Sequence, residues 1–202
     1  KLLTAPNTGC SSAQNCTAAD IYARDLAGGS ERKLTATYNG LDPDISGNLV
    51  VWRNWDSGRI VVYNLTSDTQ QDVSTAATQM VGPAISGNRV VWTDYRNSIN
   101  YGDIYMRDLA QPNDTFVSRG SDLPGAATVP DAKKDKRNAD IDGDIVVWED
   151  MRNAYQDAQG WWHNPDIYTK NLFTGIEQAV CTNLEDQYNP VVSGNRIFWQ
   201  DY

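Results

Sequence analysis

The chain is poor in the residues from which most catalytic and cofactor sites are built. Its 202 residues include one histidine, three cysteines, three methionines and three phenylalanines. His163 stands without a Ser nucleophile elbow or a His-Glu-x-x-His pattern, so neither acyl transfer nor zinc hydrolysis is indicated. There is no phosphate-cradling glycine loop, no dinucleotide fingerprint and no Cys-x-x-Cys-His for covalent haem. No cofactor is expected, with calcium through carboxylates as the one alternative. Basic charge is also scarce: 17 Lys and Arg stand against 26 Asp and Glu, a net charge of −9. A nucleic-acid partner needs basic surface that displaces counterions, so none is expected. No run of about 18 apolar residues occurs, which excludes a membrane-spanning helix from the expectations. The chain opens at Lys1 without a leader, as a processed mature form would.

What the chain has in abundance is a repeated phrase. It reads Ile45-Ser46-Gly47-Asn48-Leu49-Val50-Val51-Trp52, then Ile85-Ser86-Gly87-Asn88-Arg89-Val90-Val91-Trp92. Two more copies are Ile141-Asp142-Gly143-Asp144-Ile145-Val146-Val147-Trp148 and Val192-Ser193-Gly194-Asn195-Arg196-Ile197-Phe198-Trp199. An apolar stub leads into a Gly-Asn or Gly-Asp turn, and a β-branched run ends in Trp. Gly and Asn accept the positive φ of a tight hairpin, and Val and Ile favour a packed strand. The phrase reads as strand a, turn, strand b.

A second phrase follows: Asp103-Ile104-Tyr105-Met106-Arg107-Asp108-Leu109, Asp166-Ile167-Tyr168-Thr169-Lys170-Asn171-Leu172 and the diverged Arg59-Ile60-Val61-Val62-Tyr63-Asn64-Leu65. Its period of two marks a strand c. More polar stretches such as Gln71–Ser74 and Thr115–Ser118 read as an outer strand d, where polarity discourages edge-to-edge pairing. The four Trp are separated by 40, 56 and 51 residues, close to the roughly 40–50 residues of a four-stranded propeller blade. The first c phrase, Asp20–Leu26, has no a–b phrase before it, and the last a–b phrase has no c–d phrase after it. The sequence therefore predicts one all-β domain over 1–202, a four-bladed propeller of antiparallel four-stranded blades. A loop segment occupies 1–19. The blades fall at about 20–40 plus 190–202, 41–81, 82–138 and 139–189, the first being a closure blade shared by the two halves.

Pro83-Ala84-Ile85-Ser86-Gly87-Asn88, followed by Asp103–Leu109, resembles the TolB-like propeller repeat. That repeat runs Pro-x-x-Ser-x-(Asp/Asn)-Gly, an apolar strand, then Asp-Ile-Tyr-x-x-(Asp/Asn)-Leu, and here the turn is shortened. The Trp-x-Asp-x-Arg-Asn segments Trp92–Asn97 and Trp148–Asn153 resemble variants common in secreted prokaryotic surface proteins. The resemblance covers nearly all of the chain beyond residue 19. It implies the propeller fold and an extracellular or cell-surface location, and says little of function, because propellers host binders, scaffolds and enzymes. The family usually closes with six or seven blades, whereas this chain has material for four. Self-closure at modest loop entropy is the first expectation. Completion of one molecule's half-blade by the next, giving rings or filaments, is the second.

The functional expectation is a non-catalytic binding or assembly propeller whose partners are other protein subunits, including copies of itself. A carbohydrate-binding propeller is the alternative, and a polysaccharide-degrading enzyme the third reading, since some TolB-like propellers resemble lyases. The a–b turns are minimal, so binding residues are sought on the opposite face, in the b–c and d–a loops. The long loop Glu149–Pro165 carries Tyr155, Trp161, Trp162 and His163. With Trp55 and Tyr95 in the other b–c loops, these are the candidates for a sugar platform or a protein contact; the Trp pair can equally fold back onto its own blade. Asp56, Asp94, Asp103, Asp150 and Asp166 flank these loops. Paired carboxylates can serve as glycosidic acid and base or bind calcium, but residues that recur blade after blade point to turn capping instead. The run Lys133–Arg137 reads as a solvated basic loop. Cys10 and Cys16 are close enough in sequence for a local disulfide in an oxidising compartment; three reduced thiols, or a bond from Cys181 to the N-terminal loop, are the alternatives. Asn15, Asn64 and Asn113 head sequons that a glycosylating host would use.

Overall fold

The computed structural model describes residues 3–5, 19–74 and 79–202. Strands β1 (Leu3–Ala5), β2 (Asp20–Ala23) and β3 (Arg32–Lys33) form a first sheet in that order. The first complete blade contains β4 (Gly40–Ser46), β5 (Leu49–Asn54), β6 (Ile60–Asn64) and β7 (Thr69–Asp72). The second contains β8 (Met80–Ser86), β9 (Arg89–Asp94), β10 (Asp103–Asp108) and β11 (Thr115–Ser118). The third begins with β12 (Lys136–Asp142) and β13 (Ile145–Asp150). Its long loop folds a small hairpin of β14 (Tyr155–Gln156) and β15 (Trp162–His163), and β16 (Asp166–Asn171) and β17 (Glu177–Cys181) complete it. A last two-stranded sheet holds β18 (Gln187–Ser193) and β19 (Arg196–Asp201). Every pairing is antiparallel in the order a-b-c-d, as the repeat requires.

The a–b turns owe their tightness to glycine. Gly47, Gly87, Gly143 and Gly194 each sit at φ +57°, while the Asn or Asp that follows does not have positive φ. Positive φ at the first central residue alone is the II′ arrangement, which matches strand twist. The expectation that Asn shares the positive φ is corrected; its carbonyl instead anchors strand c. Asn48, Asn88 and Asp144 accept the backbone N–H of Leu65, Leu109 and Leu172 at 2.7–2.8 Å. A second device was not anticipated. Each a strand breaks register just before its apolar stub, at Asp42, Gly82, Asn138 and Asn189, all with φ between 51° and 57°. Gly, Asn and Asp tolerate that conformation best, and the resulting bulge bends the strand. The a strands consequently begin slightly upstream of the apolar stub.

Sheets stack face to face, and the core lies between them. Trp52 with Ile21 and Leu34 fills the first interface, Trp92 with Val51 and Ile60 the second, and Trp148 with Val91 and Ile104 the third. In each case the b-strand Trp packs toward the preceding sheet, and the following Val face meets the next Trp. The Trp ring lies beside its own c-strand Tyr, with centroids 6.1 Å apart for Trp52–Tyr63 and 6.5 Å for Trp92–Tyr105 and Trp148–Tyr168.

Among the described residues the two halves do not pair into the expected shared closure blade. β2–β3 and β18–β19 lie in separate sheets. The first sheet packs on β4, whereas the last hairpin packs on β12, β13 and β16. β1 pairs along β2 on the edge that strand b takes in a complete blade, Leu3 opposite Tyr22 and Ala5 opposite Asp20. Trp199 is therefore 37% exposed, against 2% or less for Trp52, Trp92 and Trp148.

Replacing Trp92 by Ala should cost about 3–5 kcal/mol in urea unfolding. Trp199→Ala should cost a small fraction of that in dilute solution, where no second sheet covers it.

Candidate interaction surface

The b–c loops are built by one polar network, repeated. In the second blade Asp94 accepts the Trp92 indole N–H at 2.7 Å, the Arg96 backbone N–H at 2.8 Å and the Arg96 guanidinium at 2.6 Å. The Arg96 guanidinium lies 4.1 Å from the centroid of the Tyr105 ring, and Asn97 donates to Asp103 at 2.8 Å and to the Tyr105 hydroxyl at 3.0 Å. Asp103 also accepts the Gly120 N–H at 2.7 Å, which fixes the next loop. The third blade repeats the pattern with Trp148, Asp150, Arg152, Asn153, Asp166 and Tyr168. These carboxylates point into the blade and their oxygens are taken, which leaves little to offer a ligand. Asp56, in the first blade, accepts the Asn39 amide. Among the described residues no group of three or more His, Cys, Asp or Glu is placed to share a cation.

The basic run is not a solvated loop. Lys136 is fully buried and its ammonium lies 3.1 Å from Asp150. Arg137 binds Glu149 at 2.9 Å, and Lys134 pairs with Asp131 and faces the Tyr101 ring. Burial alone would raise the Asp150 carboxyl; Arg152, Lys136 and the Trp148 N–H hold it below the ordinary carboxylate value. Asp166 makes no ion pair among the described residues, and the Asn153 amide and the more distant Arg152 only partly offset its burial. Burial pushes its carboxyl up to about 6, with the charge of Asp150 adding to the rise.

The structure brings four of the six aromatic candidates onto one hairpin. Tyr155 and His163 pair across β14–β15 and stack at 5.6 Å. Asp157 closes the turn by accepting the Trp161 N–H at 2.8 Å and the Gln159 N–H at 3.0 Å. Its second oxygen lies 3.0 Å from His163 Nε2. Asp186, on the connection to the last sheet, lies 3.8 Å from His163 Nδ1 and accepts the Asn164 N–H at 2.5 Å. The Asp157 hydrogen bond raises the His163 pKa above its usual value, and the Asp186 charge adds to it. Trp161 stands outward, 71% exposed, and Trp162 is half-buried. Trp55 and Tyr95 stay on the first and second blades: Arg53 sits 5.1 Å over the Trp55 ring, and Tyr95 is half-buried against Gly102. Asp157 and Asp186 were missed in the sequence; Asp157 forms an Asx-type turn with the Gln159 N–H two residues on, and an Asp heading a Gly-containing turn is the one signal that could have found it.

The sequon Asn64 caps its c–d turn, accepting from the Thr66 and Ser67 N–H groups, and Asn113 is exposed. Asn15, Cys10 and Cys16 lie outside the described residues. Cys181, at the end of β17, is a free thiol.

Two titrations check this geometry. The single imidazole resonance should titrate above 6.5, and Asp157→Asn should move it down. Because the folded Asp166 pKa lies above its unfolded value, the folded state binds the extra proton. This group's contribution to stability is then greatest below about pH 4 and falls as pH rises through 6. In Asp166→Asn, stability measured across pH 4–7 should lose that slope.

No protein-family model and no curated protein sequence matches the chain. Solved structures do. TolB from Acinetobacter baumannii superposes with a TM-score of 0.61 at 14% identity, over 87% of this chain and 40% of that one. The β-propeller domain of the trilobed protease from Pyrococcus furiosus, described as having an open velcro topology, gives 0.58 at 14% identity, over 92% of this chain and 52% of that one. A chain of the nidogen/laminin complex gives 0.53 at 10% identity, over 99% and 84%. The chain thus spans about half the length of the first two or less. Its fold is that of a TolB-like β-propeller.

Proposed function

We propose that this propeller acts outside the cell or at its surface as a non-catalytic binding and assembly module. In this reading its own half-blades are the interaction surface, joined to those of neighbouring copies. The observation that carries the proposal is the pair of incomplete sheets. The outer edge of β19 pairs with no strand among the described residues, and Trp199 is left partly uncovered beside it. A free edge and an exposed aromatic face are features that proteins ordinarily cover. The loop carboxylates are engaged in blade-internal bonds, which argues for a scaffold rather than a reaction centre. A chain of this fold also occurs in the nidogen/laminin complex, a protein–protein setting.

Head-to-tail joining of unlike surfaces gives rings or filaments rather than closed dimers. Particle mass by light scattering should therefore rise with concentration in steps of one chain, and electron microscopy should resolve rings or fibres. A single-chain mass at every concentration would sink the assembly reading.

The outward Trp161, on the same hairpin as Tyr155, supports a second reading, a saccharide platform. On a glycan array the wild type should then bind, and Trp161→Ala should lose binding. Silence of the wild type disposes of that reading.

A further inference from the structure

Five exposed apolar side chains share one explanation. Leu26 is 81% exposed, whereas Leu65, Leu109 and Leu172, at the same place after strand c, pack against the core. Ile45 is 37% exposed, while Ile85 and Ile141 at the same place in strand a are buried. Phe198 is 57% exposed, yet Val51, Val91 and Val147 at its position are fully buried. Val191 and Trp199 are likewise half open where their counterparts Ala84 and Trp92 are covered. Leu26 and Ile45 flank the first sheet; the other three lie on the last hairpin. A groove of about 600 Å³ runs between β2–β3 and the first blade, bordered by Ala23, Arg24, Asp25, Ile45 and Gly47. In the complete blades the corresponding space beside strand c and the next blade's turn is occupied by an a–b turn, such as Ser86–Arg89 against Gly143.

We infer that this groove and the strand-b edge of β2, held by β1 in the single chain, receive the β18–β19 hairpin of a second copy, and that β1 is a placeholder strand which the incoming β19 displaces. The inference rests on the assembly reading above and specifies its joint. The register follows from the b–c pairs of the complete blades, where Trp92 faces Tyr105, Arg89 faces Asp108 and Val91 faces Met106. Trp199 of the second copy then faces Tyr22, Phe198 faces Ala23 and Arg196 faces Asp25. Opposite charges meet at the last of these pairs. The Asn195 carbonyl takes the Leu26 N–H, as Asn48 and Asn88 take those of Leu65 and Leu109. Ser193 accepts the Gly47 N–H, as Ser46 accepts that of Gly87 and Ser86 that of Gly143, both at 2.9 Å. One docking event thus covers all five apolar side chains and pairs both strand edges. A second copy is the occupant because the hairpin and β2 belong to different sheets, packed against different blades of the stack. Among the described residues β1 holds the place with three residue pairs, against six for the b–c pairings of the second and third blades, so displacement gains pairing.

The test uses two full-length chains with the native cysteines replaced by Ser, one carrying Ala23→Cys and the other Phe198→Cys. Mixed under air oxidation, they should form a disulfide between chains. Removing residues 1–5 should speed it about tenfold, the effect of losing one or two net backbone hydrogen bonds. Near-UV circular dichroism of Trp52, Trp92 and Trp148 checks that the blades stay folded. Equal rates with and without residues 1–5 overturn the placeholder and leave assembly standing. Growth of particles without the 23–198 link overturns the register. A link formed within one chain carrying both cysteines at high dilution, or no growth at any concentration, overturns the joint and the assembly reading together.

Discussion

The structure depends on one packing relation: the b-strand Trp of each blade lies beside its own c-strand Tyr and against the Val and Ile face of the sheet before it. Aromatic pairs of this kind contribute about 0.5–1.5 kcal/mol beyond area burial, and the buried Trp supplies much of each interface. The indole also has a polar end that must be satisfied. In the second and third blades Asp94 and Asp150 accept it, and the same carboxylates hold Arg96 and Arg152 over the Tyr rings. In the first blade Asn54 stands where that Asp would be, and the Trp52 N–H is buried without a partner among the described residues. The best-stapled interfaces are therefore internal, and the polar residues of the Trp-x-Asp-x-Arg-Asn segment are spent on holding the scaffold together.

Much of this was legible in the sequence because a propeller repeats its physics. Four copies of the a–b phrase and the recurring Asp-Ile-Tyr phrase identify strand order, the place of the tight turns and the buried Trp52, Trp92 and Trp148. Recurrence of Asp94 and Asp150 marks them as blade-internal, and their hydrogen bonds agree with that assignment. Single-copy features were less legible. Lys136 reads as one of several basic residues in a loop, yet it enters β12 and pairs with Asp150 in the core; charge runs carry no information on which member points inward. The bulges at Asp42, Gly82, Asn138 and Asn189 use three residue types that share a tolerance for positive φ; Pro43, Pro83 and Pro190 follow three of them, a signal that marks the position but does not by itself say that the strand bulges there. The Asp157–His163–Asp186 bracket joins residues from two connections and depends on how a 15-residue excursion folds.

Closure is where local pattern and tertiary arrangement part. The complementary half-blades are visible in the sequence, but pairing them requires two sheets at different places in the stack to meet. Their separation turns features that would be core in a finished blade, Leu26, Ile45, Phe198 and Trp199, into surface. In the proposed assembly that change links fold to function: the unfinished blade is the acceptor, and its strand register and the charge of Asp25 match the complementary hairpin.

Hydrogen exchange of the backbone amides of β2 and β19 tests that link most directly, followed at the lowest usable concentration and again in concentrated solution. The account predicts that β19 amides exchange fast in dilute protein while β5, β9 and β13 stay protected, and that β19 becomes as protected as they are when the protein is concentrated. Protection of β19 equal to that of β13 in the dilute single chain would contradict it, since the blade would then be complete without a second copy.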